Sequence, residues 1–364
     1  MSYSTEPIKL RSNRVWRTYH GGKMIEQWQN RDNPQDNQFP EEWVASVIRA
    51  RNPGREHIEE GYSVIESSQG QGVTLKQLIE SDPKAYLGKE HVRKFGSNPG
   101  VLVKLLDAAE RLTIQVHPDR DTAQRLFQSS YGKTEAWYIL GGREINGEPP
   151  YILFGFKPGV RREKWEKLFY NQDIEGMLQC LHKFYVKPGQ VFLIEGGIPH
   201  AIGSGCFLLE IQEPTDYTIR TERTTPAGLK VADQSCHQGI GFEKMFECFH
   251  YEPFDEEQVL ACWCKEPVIL TQSEMGVEKA LIRYEDTPHF SMNLIQVNTK
   301  VVLSRRAAFS VAIILSGEGV LRYGDHAMSI QQGEQIFLPA GVEELVCENR
   351  GKEPLELVKC FPPI

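Results

Sequence analysis

Four side chains in three separate segments have the donor types to share one metal ion. Gln115 and His117 lie in Gln115-Val116-His117-Pro118, Glu135 follows Gly132-Lys133-Thr134, and His200 sits in Gly196-Gly197-Ile198-Pro199-His200-Ala201-Ile202-Gly203. Mixed nitrogen and oxygen donors suit a borderline divalent ion such as zinc. Along a strand, residues two apart share a face, so Thr113, Gln115 and His117 would point one way and Ile114 and Val116 the other. The same parity groups Lys133, Glu135 and Trp137, if that strand begins as early as Lys133. Farther on it groups Asp216, Thr218 and Arg220, so Arg220 can point inward. A carboxylate, a lysine and an arginine would then surround the metal. His200 follows a proline, which fixes the backbone where the turn meets the strand. The remaining histidines read as surface or hydrogen-bonded core residues.

The elements that must hold these groups are mostly strands. Leu112–His117, Ala136–Leu140, Gln190–Ile194 and Phe207–Gln212 are short apolar runs separated by Gly and Pro turns, which favours sandwiches or barrels over a parallel sheet. Helices are predicted at 74–80, with Thr74 as N-cap, at 121–127, and over 161–182, so helical insertions occupy about 73–130 and 161–182. An acidic stretch from Pro253 precedes a helix-poor tail of strands from about 258. The expected division is a catalytic unit over 1–250 and a second β-barrel over 251–364.

A repeat supports two copies of one architecture. Gly189-Gln190-Val191-Phe192-Leu193-Ile194 through His200 aligns without a gap on Gly333-Glu334-Gln335-Ile336-Phe337-Leu338 through Glu344. Both resemble the second motif of cupins, Gly-x5-Pro-x-Gly-x2-His. The first copy keeps the histidine but has Glu195 at the proline position. The second keeps Pro339 but has Glu344 in place of histidine, so the second barrel is expected to be degenerate and metal-free. The fold class is mainly β with helical insertions, built as two cupin-type jelly-roll barrels.

The chain has 364 residues, 41 Lys plus Arg against 49 Asp plus Glu, and a formal net charge of -8. That balance argues against nucleic acid or an anionic membrane surface, and an anionic ligand would need a local basic pocket. No apolar run approaches the roughly 20 residues that span a bilayer, and the N-terminus has no signal-like apolar segment. A soluble cytoplasmic protein is expected. The 8 cysteines show no Cys-x2-Cys pair and read as reduced, structural thiols.

Taken together, Leu102–Ala108, Leu112–Asp119, Gly132–Tyr138, Pro199–Gly205 and Glu210…Asp216…Arg220 resemble the type I mannose-6-phosphate isomerases of the shorter bacterial kind. The resemblance implies that Gln115, His117, Glu135 and His200 bind one zinc per chain, or another divalent metal. It implies that Arg220 is the active-site arginine, with Lys104, Lys133, Glu210 and Asp216 in the same pocket. Two segments depart from the family pattern. Trp16-Arg17-Thr18-Tyr19-His20-Gly21-Gly22 replaces Trp-Gly-Gly, and Pro40-Glu41-Glu42-Trp43 replaces Gly-Glu-Ser-Trp-Glu. A third departure follows Arg220, where Thr221-Glu222-Arg223-Thr224-Thr225-Pro226 replaces the usual continuation.

The expected function is zinc-dependent interconversion of mannose 6-phosphate and fructose 6-phosphate through an enediol. That chemistry needs a proton carrier next to groups that stabilise developing negative charge. Arg220 suits the charge, and Lys104 and Glu210 suit substrate binding. The proton carrier stays open among Lys133, Glu210, Asp216 and a metal-bound water, with the Lys133 and Asp216 neighbourhood preferred. Alternatives are an isomerase of another sugar or sugar phosphate, a non-catalytic sugar-binding cupin, and an Fe(II) cupin oxygenase using His117, Glu135 and His200. A phosphorylated sugar is the one expected partner, and no oligomeric state is predicted.

Overall fold

Side-chain alternation decides the layering. In the strand Glu135–Gly142, Glu135, Trp137 and Ile139 face one side and Ala136 and Tyr138 the other, and both sides are buried. A strand apolar on both faces has to lie between two layers. The computed structural model describes residues 3–52, 54–55, 57–66, 72–304 and 306–364, and it satisfies this demand with four stacked antiparallel sheets.

One seven-stranded sheet runs in the order Cys264–Lys265, Val191–Ile194, Glu135–Gly142, Cys206–Gln212, Leu102–Asp107, Glu41–Val44, Arg14–Val15. It faces a five-stranded sheet ordered Ile219–Arg220, Gln115–Val116, His200–Ile202, Tyr151–Phe156, Leu181–Tyr185. Trp137, Phe192 and Leu208 of the first meet Ile152, Phe154 and Ile202 of the second. A second sandwich pairs another seven-stranded sheet, whose central strands are Ser310–Ser316, Leu355–Phe361 and Ser291–Val297, with a four-stranded sheet around Glu318–Tyr323. The two seven-stranded sheets pack back to back, Ala136, Leu193 and Leu209 against Ile313, Phe337 and Val358. This is the mainly β, cupin-type architecture expected. Among the described residues no helix is long and apolar enough to cross a membrane.

Several elements differ from expectation. The helix expected over 161–182 is two helices, Arg162–Asn171 and Ile174–Gln179, followed by the strand Leu181–Tyr185. Gln172 takes a left-handed φ of 48°, and the Asp173 side chain then accepts a bond from Gly176 N to start the second helix. The 73–130 region holds four helices, with Leu102–Asp107 running between them as an interior strand. Thr74 forms a capping box with Gln77. The strand expected over Leu112–His117 contracts to Gln115–Val116. The tail expected to be helix-poor opens with the helix Glu256–Trp263, capped by Asp255.

The two units also exchange strands. Ile8–Leu10 pairs with Gln335–Leu338 in the second sandwich, while Cys264–Lys265 pairs with Val191–Ile194 in the first. The repeat is visible in three dimensions. Val191–Ile194 and Gln335–Leu338 are in-register equivalents, and Gly189 and Gly333 precede them with φ of 92° and 91°. All eight cysteines are free, most of them buried.

Candidate active site

Three donor groups converge from two facing sheets. His117 follows the strand Gln115–Val116 and His200 opens His200–Ile202, with His200 paired opposite Gln115. Glu135 opens the strand Glu135–Gly142 of the facing sheet. Ligand atoms of His117, Glu135 and His200 all lie within 4.8 Å of one another and all three residues are buried.

The backbone sets which nitrogen of each imidazole faces the site. His117 Nδ1 is 2.7 Å from Tyr217 O, and His200 Nδ1 is 2.8 Å from Ile198 O. A carbonyl only accepts, so each Nδ1–H donates and each Nε2 keeps a lone pair for the centre. These Nε2 atoms lie 3.3 Å and 3.5 Å from Glu135 Oε2 and Oε1. Gln115 Nε2 is 3.3 Å from His200 Nε2, and rotating the amide by a half turn presents its oxygen to the same point.

The charge states also fit a cation. Burial, reinforced by Lys133, pushes His117 down to about 4, and burial lowers His200 as well. Burial alone would raise Glu135, yet Lys133, His117 and His200 outweigh it and hold the carboxyl well below the usual range. At neutral pH the set is therefore two neutral imidazoles and a carboxylate, the form a divalent metal requires. Glu135 Oε1 is buried without a hydrogen-bond partner among the described residues, which suits a metal-ligating oxygen. Lys133 lies before the strand and not within it. Its Nζ still reaches the centre, hydrogen-bonding Glu135 and lying 3.0 Å from His117 Nε2.

A cleft of about 620 Å³ opens beside this set, lined by Lys104, Gln115, Lys133, Glu210, Asp216 and Arg220 among others. One cross-strand row supplies two of its lining residues, Lys104 and Glu210. Trp43, Lys104, Glu210 and Trp137 stand opposite one another on four adjacent strands. Lys104 Nζ lies 5.1 Å over the Trp43 ring and 3.1 Å from Glu210 Oε1, and the Trp137 indole donates to Glu210 Oε2 at 3.1 Å. For Lys104, burial is outweighed by Glu210, Glu41 and Asp216, and its pKa rises.

Asp216 and Arg220 complete the cleft. Burial would raise Asp216, but Arg17, Lys104, Arg220 and Lys133 together lower it and keep it ionised. Arg220 pairs across the sheet with Gln115, and its Nη1 donates to Thr218 O at 3.2 Å and Ser235 O at 3.0 Å. Its pKa is lowered by burial, against the support of Asp216.

Sequence reasoning missed Arg17, Tyr19 and Glu41, which line the same cleft. Arg17 Nε is 2.9 Å from Glu41 Oε2, an Arg17 Nη2 is 3.4 Å from Asp216 Oδ1, and the Tyr19 hydroxyl donates to Glu41 at 3.0 Å. All three lie in the two segments noted as departures from the family pattern, and that departure was the available signal. The third departure does different work. Glu222 is paired to Arg111 at 2.6 Å and accepts the Ile114 N–H, so it anchors the strand carrying Gln115.

Comparison with known proteins points to one family. The family described as phosphomannose isomerase type I, catalytic domain, matches residues 13–135, and mannose-6-phosphate isomerase, cupin domain, matches residues 281–352. The chain is 26% identical over 299 residues to mannose-6-phosphate isomerase ManA of Bacillus subtilis, covering 80% of this chain and 84% of that protein. It is 25% identical over 283 residues to mannose-6-phosphate isomerase of Streptococcus mutans, covering 77% and 79%. The crystal structure of mannose 6-phosphate isomerase from Bacillus subtilis shares the fold, with a TM-score of 0.72 at 23% identity over 98% of this chain and 99% of that one. With both family descriptions matched in their own halves of the chain, and relatives aligned over most of its length, the protein belongs to the type I phosphomannose isomerases.

Proposed function

We propose that the protein interconverts mannose 6-phosphate and fructose 6-phosphate, with one zinc ion per chain held by His117, Glu135, His200 and Gln115. The observation that carries this reading is a buried neutral-imidazole and carboxylate donor set, joined through Gln115 and Lys133 to a cleft also lined by Lys104, Arg17 and Arg220. Zinc bound there would polarise the sugar oxygens and organise the hydroxyls.

The remaining work falls to the chain's own residues. Arg220, anchored to two carbonyls, presents the rest of its fork to the oxygen on which enediolate charge develops. Lys104, backed by Glu210, binds the substrate, and the excess of cations over carboxylates on the wall draws in the phosphate dianion. Glu210 is tied by both Lys104 and Trp137, which suits support more than proton transfer. The proton carriers are assigned to the Lys133 and Asp216 neighbourhood. Asp216, ionised and paired with Arg17, would accept the proton from C2, and Lys133 Nζ, hydrogen-bonded to Glu135, would give one to the sugar oxygen. The cations that keep Asp216 ionised also weaken it as a base, so it depends on acidification of the carbon by the polarised carbonyl.

A metal-replete assay across a panel of aldose and ketose phosphates tests the reading. The mannose 6-phosphate and fructose 6-phosphate pair should give the highest kcat/KM. Higher kcat/KM on another pair would reassign the substrate, and no turnover on any pair would remove the isomerase reading.

A further inference from the structure

The second sandwich has a cleft of its own, of about 350 Å³, lined by Ser304, Arg306, Ser310, Pro339, Glu343 and Lys359 among others. Its position follows from the repeat. The turn Pro339–Glu343 is the sequence counterpart of Glu195–Pro199, the turn that presents His200 in the first sandwich. The two clefts therefore occupy equivalent places in the two copies.

Alternation along the strands shows why this end is hollow. On Leu355–Phe361, Leu355 and Leu357 point into the apolar core between the two sheets of this sandwich, and Lys359 follows on the same face. On Ser291–Val297, Ile295 and Val297 fill that core, while Asn293 on the same face is polar and buried. Leucine or isoleucine at those positions would have completed the packing. The chain instead buries an ammonium at 3% exposure, which is costly unless something compensates it.

Protein groups compensate it in part. Lys359 Nζ donates to Ser304 O at 2.7 Å. Glu278, the nearby carboxylate, already accepts from Asn293 Nδ2 at 2.7 Å and Ser304 Oγ at 2.9 Å. Arg306 lies 4.0 Å over the Phe361 ring, and its Nη1 is buried with no hydrogen-bond partner among the described residues. The cleft thus has spare donors on two cations and the Ser310 hydroxyl within reach, while Ser304 and Glu278 engage each other and the one lining carboxylate, Glu343, is exposed. That is the complement of an anionic group rich in acceptor oxygens.

We infer that the second sandwich carries a binding site for the phosphate group of a small phosphate monoester, held by Arg306, Lys359 and the hydroxyl of Ser310. The site is separate from the metal-centred cleft, so it binds ligand without turning it over.

Calorimetric titration of the metal-loaded full chain with fructose 6-phosphate, and separately with inorganic phosphate, tests this. The readout is the difference between wild type and variant. Arg306→Gln and Lys359→Met should each remove one binding event per chain, or weaken it at least tenfold, with metal content and isomerase kcat unchanged. A difference seen with the sugar phosphate identifies a metabolite site, and one seen with inorganic phosphate alone identifies a free-phosphate site. If Lys359→Met does not fold, the partly exposed Arg306→Gln decides. Identical stoichiometry and affinity in wild type and folded variants, with both probes, would overturn the inference. Because the readout is a difference, it stands even if the first cleft binds no sugar phosphate.

Discussion

Lys104 and Glu210 stand directly opposite each other on adjacent antiparallel strands, 3.1 Å apart and both almost wholly buried. Neither charge has bulk solvent to fall back on, so each depends on the other and on the indole that donates to Glu210. Removing one partner of such a pair typically costs 3–5 kcal/mol, whereas replacing both with apolar groups costs far less. Glu41 and Asp216 also support Lys104, which places Glu210→Ala at the lower end, about 3 kcal/mol. Urea unfolding should show that loss, and Lys104→Met combined with Glu210→Leu should recover most of it while staying inactive. A single variant as stable as wild type would mean that the pair is not a structural unit.

Arg220→Ala should separate catalysis from metal binding. The guanidinium is fixed by two carbonyls and, among the described residues, makes no hydrogen bond to His117, Glu135 or His200. Loss of a preorganised charge-stabilising donor costs on the order of 10²-fold or more in kcat. Zinc measured by elemental analysis should stay near one per chain. Undiminished turnover would take Arg220 out of the mechanism.

His200→Ala should lower metal content and thermal stability together, because coordination contributes folding energy. Glu344, its counterpart in the repeat, is exposed, and Glu344→Ala should leave metal content unchanged. Full zinc retention in the His200 variant would refute its role as a ligand. Loss of metal in the Glu344 variant would put an ion in the second sandwich.

Lys359 gives a pH signature. Burial, aided by Arg306 and opposed by Glu278, lowers its pKa from 10.5 to about 8. Between those values the unfolded chain binds the proton and the folded chain does not, so this group's contribution to stability rises with pH across the window. The full change is about 3 kcal/mol. Lys359→Met should be more stable than wild type near pH 7, with the gap closing toward pH 10.5 in denaturant titrations. A constant gap would mean that Lys359 is not desolvated.

The grouping of His117, Glu135 and His200 was legible in sequence because they sit in motifs whose spacing survives: His117 two residues after Gln115, His200 after Gly-Gly-Ile-Pro, and Glu135 after Gly-Lys-Thr. The helix Arg120–Phe127, capped by Asp119, fills the gap between His117 and Glu135. Arg17 and Glu41 were not legible. Their importance arises from contacts between distant segments, Arg17 reaching Asp216 from 199 residues away in sequence, and no local pattern encodes that. Lys359 was hidden for a related reason, since one lysine on an amphipathic strand reads as a solvent-facing residue until the sheet's inner face is known.

The central claim is isomerisation at the His117, Glu135 and His200 centre. Its most direct test is proton NMR of fructose 6-phosphate incubated in D2O with zinc-loaded protein and, in parallel, with Glu135→Gln. The account predicts that mannose 6-phosphate accumulates to equilibrium with no added co-reactant in the first sample and not in the second. Fructose 6-phosphate left unchanged by protein that holds one zinc per chain, or equal conversion by the Glu135→Gln variant, would contradict it.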